Sequence, residues 1–274
     1  MAITSGPQIA ISQIHAEVGG TGQASLNDAD LLGMIPKSAG VQVAMSEWYG
    51  KKAPAQYLGS VSAVQGSSNN TGVFSLSLAS LNLQAGDLVI AFAAQEGPGE
   101  YYTDLYSSGW ASMAPDTPNT QPGHACGYKI MGSTPDSSVG WTLGPYYFSV
   151  PFAAIAFRNV SSMTTHGWSS TRYGQTVAIP SRTVSNAGSV SVICTSRGGN
   201  NAEDGTNNGV NTLNTPSGWT KVAYKYTGNG GIGYNHEQSV TMFYRMNPPT
   251  GTLNPGNHTW YFLGDTKTSH SILY

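Results

Sequence analysis

Ala85–Gln95 reads AGDLVIAFAAQ, and Ala187–Arg197 reads AGSVSVICTSR. In the first, a Gly-Asp turn launches a continuous apolar run, Leu88 to Ala94. Such a run is a strand buried on both faces or a short buried helix, and periodicity alone does not separate the two. The surrounding composition does. Of 274 residues only 9% are charged, against ~25% in ordinary globular domains. Gly (34), Pro (15) and Tyr (15) are abundant. Helices draw their wet faces from Glu, Lys, Arg and Ala, whereas strands and tight turns do not. The run therefore reads as a central strand of an all-β protein.

Working outward, VFSLSLASLNL (73–83) alternates Phe74, Leu76 and Leu78 with serines, the period of a half-buried strand. Runs such as CGYKIMG, VGWTLG, FAAIAFRNV, TVAIPSRTV, WTKVAYKYTG, SVTMFYRM, HTWYFLGD and SHSILY continue the series, mostly separated by Gly, Pro, Asn or Asp. About a dozen strands in this stretch imply packed antiparallel sheets.

The two opening segments also belong to a longer repeat. SSGWASMA is echoed by PSGWTKVA, GYKIMGSTP by FYRMNPPTG, and VGWTLG by HTWYFLG. Gly86 thus matches Gly188, Trp110 matches Trp219, Tyr128 matches Tyr244 and Trp141 matches Trp260; each tyrosine precedes a cation, Lys129 or Arg245. The expected fold is an antiparallel β-sandwich, jelly-roll-like and internally duplicated, over residues 61–274, with halves at about 61–163 and 164–274.

Residues 1–60 differ. GPQIAISQIHAEVGG offers Ser12 as a helix N-cap and Gly19-Gly20 as a stop, and SLNDADLLGMIP pairs Ser25 with Asp28 in a capping pattern. AMSEWYGKKA repeats the theme with Ser46. Helices of two turns are not stable alone in water, so this partly helical arm is expected to dock on something through Ile9, Ile11, Ile14, Leu31, Leu32, Trp48 and Tyr49. Burying a large apolar side chain contributes about 1.5–3 kcal/mol, so a few of them offset the ordering of a short arm.

Net charge is −2, which marks no nucleic-acid or anionic-membrane partner. No apolar run reaches spanning length and no secretory signal pattern is present, so neither membrane insertion nor export is expected. Cys126 and Cys194 each lie in an apolar strand and read as buried free thiols. The six histidines are scattered without metal-ligand spacing, so no metal or other cofactor is expected. HEQSV (236–240) lacks the second histidine of a zinc-protease helix. No nucleophile elbow, Walker loop or dinucleotide fingerprint occurs, and no catalytic residue is assigned. Glu96, Glu100 and Asp104 crowd QEGPGEYYTDLYSSGW, and Glu203 with Asp204 lie in GGNNAEDGTNNG. Paired carboxylates can cleave glycosidic bonds or bind calcium, but solvated loops are the plainer reading. Tyr101, Tyr102, Asp104 and Tyr106 form a candidate receptor or glycan contact, near a second aromatic cluster at Tyr146, Tyr147 and Phe148.

The segment IAISQIHAEVGGTGQASLNDADLLG…VAMSEWYGKKA resembles an N-terminal segment of structural proteins of tailed bacteriophages, tail fibres and other tail-associated proteins among them. The match runs through Ile11, Ser12, Ile14, Glu17, Gly19, Ser25, Leu26, Ser46, Trp48, Tyr49 and Gly50, and departs at Val18. The resemblance covers about a sixth of the chain. It implies a non-enzymatic virion protein on the phage tail or particle surface, docked to other virion proteins by its arm, a homotrimer, displaying its sandwich toward a host surface glycan. A capsid decoration protein, or a carbohydrate-binding or polysaccharide-degrading tail protein acting through Glu96, Glu100 or Asp104, are the alternatives.

Overall fold

An apolar run is stable in a sheet only where both faces are covered, and Leu88–Gln95 occupies such a place. The computed structural model describes residues 53–65, 72–95, 104–105, 108–113, 123–143, 150–200, 213–227 and 236–274. The chain divides into two compact units, Met1–Gln56 and Tyr57–Tyr274; all described residues but 53–56 fall in the second. They form β1 (Gln56–Gln65), β2 (Gly72–Ser77), β3 (Leu88–Gln95), β4 (Asp104–Leu105), β5 (Ala111–Ser112), β6 (Gly123–Ile130), β7 (Ser138–Leu143) and β8 (Val150–Arg158). A second series follows: β9 (Met163–Ala178), β10 (Arg182–Val184), β11 (Val190–Asn200), β12 (Thr220–Thr227), β13 (His236–Met246), β14 (Gly251–Leu253) and β15 (Asn257–Leu273). A 3-10 turn, Ala79–Leu81, is the sole helical element among the described residues. The fold is all-β and antiparallel.

β3 sits at the centre of a five-stranded sheet ordered β1-β8-β3-β6-β5. Its Val89, Ala91 and Ala93 face one way, with Phe152, Ala154 and Ala156 of β8, onto Phe74, Leu76, Val139 and Trp141 of the smaller sheet β2-β7-β4. Alternation turns Leu88, Ile90 and Phe92 the other way, toward a second five-stranded sheet ordered β12-β13-β11-β15-β9. The far face of that second sheet buries Ile193, Phe243 and Ile272 under Val177, Ile179, Val184 and Leu253, the last two from the β10-β14 pair.

Reading the second large sheet from its β9 edge gives β9-β15-β11-β13-β12: β11, β13 and β12 stand where their repeat counterparts β3, β6 and β5 stand in the first, and β15 and β9 take the places of β8 and β1. The registers agree: Ile90 pairs with Tyr128 as Val192 pairs with Tyr244, and Leu88 with Phe157 as Val190 with Leu273. What differs is continuity. In the first half, β1 and β2 are separate strands, as are β7 and β8. In the second, β9 and β15 each run on as one long strand past register shifts near Gly264, so that Val177 and His258 return over the sheet. Sequence reading expects HTWYFLGD and SHSILY to be two strands; they are the two ends of β15.

The repeated residues have repeated jobs. Gly86 (φ 87°) and Gly188 (φ 80°) make the left-handed turn before each central strand. Gly109 (φ 78°) and Gly218 (φ 81°) do so before each tryptophan. The cation after each tyrosine lies over that second glycine, where a Cβ would meet Lys129 at 3.4 Å or Arg245 at 3.2 Å. Lys129 there bonds Asp136 at 2.8 Å, which also accepts from the Trp110 indole at 3.0 Å. Arg245 instead stands 5.2 Å over the Trp219 ring.

Like ends of the two large sheets lie together. Tyr57 stacks on Tyr244 at 4.4 Å, and Phe157 meets the same ring edge-on. Ser62 on β1 donates to the Tyr224 carbonyl on β12, while at the opposite edges His166 on β9 bonds the Met113 carbonyl just past β5. Exchanging the halves maps each of these edge contacts onto the other. The halves are therefore related by a pseudo-two-fold axis running along the strands.

Candidate functional site

Because the axis runs along the strands, both halves send corresponding connections out of the same end. At that end Gly72 pairs with Leu143, Gln95 with Gly123, Asp104 with Thr142, and Asn200 with His236. The strand ends that flank both tyrosine-rich segments of the first half, at Gln95, Asp104, Leu143 and Val150, are thus gathered there. The tight turns at Gly86 and Gly188 occupy the opposite end, and so does Tyr57, the first residue of the unit. The unit has a chain-entry end and a loop end.

Of the docking residues, the loop carboxylates and the candidate contact residues named from the sequence, only the backbone of Asp104 is described: it lies in β4, antiparallel to β7. Tyr101, Tyr102, Tyr106, Glu96, Glu100, Glu203, Asp204 and the aromatic cluster at Tyr146 lie outside the described residues. So do the docking residues Ile9, Ile11, Ile14, Leu31, Leu32, Trp48 and Tyr49.

Sequence reasoning passed over a polar interior in the second half. TKTSHS (266–271) is buried throughout. His270 directs Nδ1 at the Pro180 carbonyl (2.6 Å) and Nε2 at Ser191 Oγ (2.8 Å). His166 places Nδ1 2.9 Å from Ser271 Oγ and Nε2 on the Met113 carbonyl. Thr195 and Thr268 share a hydrogen bond. Serine beside histidine is the start of a nucleophilic site. Here, however, Ser191 and His270 are both 0% exposed, so the pair is closed to solvent. Burial pulls His270 and His258 down to about 4 and lowers His166 as well. The signal that could have revealed this layer is a pair of long polar segments, β9 and β15, with three histidines between them in a chain otherwise poor in ionisable groups.

The free cysteines are both buried, as expected, and meet across the two large sheets. A hydrogen bond in which its own S–H donates to Cys194, then desolvation, pushes the Cys126 thiol up, so it stays protonated and a poor nucleophile. Among the described residues, no group of three His, Cys, Asp or Glu could hold a metal, and no helix is long and apolar enough to cross a membrane. Comparison with family models, with curated proteins and with solved structures finds no match to the chain.

Proposed function

We propose that the chain is a structural component of a bacteriophage particle, a tail fibre or baseplate-attached protein held by residues 1–60. In this reading the arm docks on other virion proteins through its Ile, Leu, Trp and Tyr side chains. The β unit then presents its loop end to the host surface. The single observation that supports it most is the polarity of the unit. The chain enters at Tyr57, and the strand ends flanking the tyrosine-rich segments lie at the far end. A displayed module needs that separation between attachment and contact.

The test is localisation in purified particles by electron microscopy with a label on the chain. The expected image has the chain on the tail with the Tyr57 end inward and the loop end outward. Absence from particles, or a loop end buried against the particle, overturns the proposal. Host recognition is tested separately on a glycan array, where Tyr101→Ala and Tyr102→Ala are expected to abolish the signal of the unaltered protein.

A further inference from the structure

Around the corner where β9, β10 and β15 meet, the described ionisable side chains near the two histidines are bases and the paired thiols of Cys126 and Cys194. β15 contributes His270 and β9 contributes His166. β10 contributes Arg182, whose Nη1 donates to the His166 carbonyl at 2.9 Å. The guanidinium lies over Gly167 so closely that a Cβ there would fall 2.0 Å from it. The loop before β12 sets Trp219 edge-on to His270 at 6.2 Å, with Arg245 of β13 over the same indole. From the first half, Met113 carries the carbonyl that His166 meets, and its sulfur touches the protonated Cys126 thiol at 3.8 Å. Lys221 bears on His258, farther along the same half. The described carboxylate side chains are Asp87 and Asp136. Both lie in the first half, paired with Arg158 and Lys129.

Hydrogen bonding fixes which nitrogen of each neutral ring at this corner carries the proton. A carbonyl can only accept, so Nδ1 of His270 and Nε2 of His166 carry the proton. The remaining ring nitrogen of each then accepts from a serine hydroxyl, Ser191 or Ser271. A second proton would make that hydroxyl accept instead of donate, and it would place a buried cation beside Arg182 with no described counter-charge. β9 is an edge strand and β10 pairs only with β14, so both can part from the body without breaking its central pairings.

We propose that this corner is an acid-operated latch: protonation of His166 and His270 releases β9 and β10 from β11 and β15 while the first half stays closed. The inference is independent of where the chain resides. The test is hydrogen exchange by mass spectrometry on the full chain at about pH 7.5 and about pH 4.5, corrected for intrinsic rates. Opening in peptides from 163–182 and 266–273 is expected to rise on the order of fifty-fold. Peptides from 88–95 and 150–158 are expected to change less than about three-fold. His270→Gln cannot titrate and can still bond Pro180 and Ser191, so it is expected to cut the acid response severalfold. Equal loss of protection in both halves overturns the latch, as does a His270→Gln response equal to the unaltered protein's. Should that variant fail to fold at neutral pH, His166→Gln takes its place, and the contrast between the two halves of the unaltered chain remains decisive.

Discussion

The two halves share strand order and register but not contents. Where the first half places Ile155 beside Ile90, the second places Ser271 beside Val192. Where Ala153 pairs with Phe92, Ser269 pairs with Cys194. Val139 of VGWTL and His258 of HTWYF are each 0% exposed. The ion pair of buried Asp87 with partly exposed Arg158 has at its counterpart Ser189, whose hydroxyl donates to the Asn186 carbonyl at 2.6 Å. What survives between the halves is the set of turns and the tryptophan, tyrosine and cation that brace them. Topology here is carried by turn geometry and aromatic bracing, while the filling between sheets is free to change from apolar to hydrogen-bonded.

If the first half is the apolar anchor, its core is where truncation costs most. Trp141 is fully buried, with its ring 4.8 Å from Phe152. Trp141→Ala is expected to lose about 3–5 kcal/mol, read as a lower denaturant midpoint. A loss near zero would mean that the halves do not differ as described. Next comes the turn carboxylate. Asp87 is 1% exposed and Arg158 keeps 29% exposure, so part of the pairing is screened. Asp87→Ala is expected to cost about 2–3 kcal/mol. Asp87→Ser, which installs the second half's solution, is expected to recover about 1 kcal/mol of that. Equal losses for the two variants would show that the turns are not interchangeable.

The first half was largely legible in the sequence because β2 alternates while β3 and β8 are continuous apolar runs, both patterns that a strand leaves in the sequence. Phe74, Leu76 and Leu78 are buried and Ser75 and Ser77 exposed, as period-2 reading requires. The glycine, tryptophan, tyrosine and cation repeat was legible because each residue serves a backbone or ring requirement that few others meet. The second half was not. TKTSHS has the composition of a wet strand, yet it lies between β11 and β9 with both faces covered. Its serines, threonines and histidine satisfy one another only once the sheets are assembled, and no local pattern records that. The bends that make β9 and β15 continuous were equally hidden, since chain length does not say whether a ribbon breaks or folds. Of the candidate contact site, sequence supplied the residues and the fold supplied the common end from which their segments depart.

The valine-for-histidine difference permits a direct exchange. His258 stacks on Phe243 at 5.1 Å and is held near 4 mainly by desolvation. A base whose folded value lies below its unfolded one stabilises fully above about pH 6.5 and loses that stability as pH falls toward 4. Between neutral pH and pH 5 this one ring accounts for about 2 kcal/mol of acid sensitivity. His258→Val is expected to leave stability at neutral pH within about 1 kcal/mol and to flatten its decline on acidification. An unchanged acid limb in chemical denaturation would place the sensitivity in other groups.

The smallest effect is the sharpest test of equivalence. Gly86 and Gly188 adopt nearly the same positive φ, and a Cβ at either would meet nothing within 4 Å. No packing term therefore enters on either side, and alanine is penalised only by the left-handed backbone, about 1 kcal/mol. The two single substitutions should lower the unfolding midpoint by equal amounts, and because the turns lie in different halves with no shared partner, the double variant should show the sum. A larger loss at Gly86 would mean that the Asp87 and Arg158 pair depends on the geometry of its turn. In that case the ion pair, and not the filling of the core, is the deeper difference between the halves.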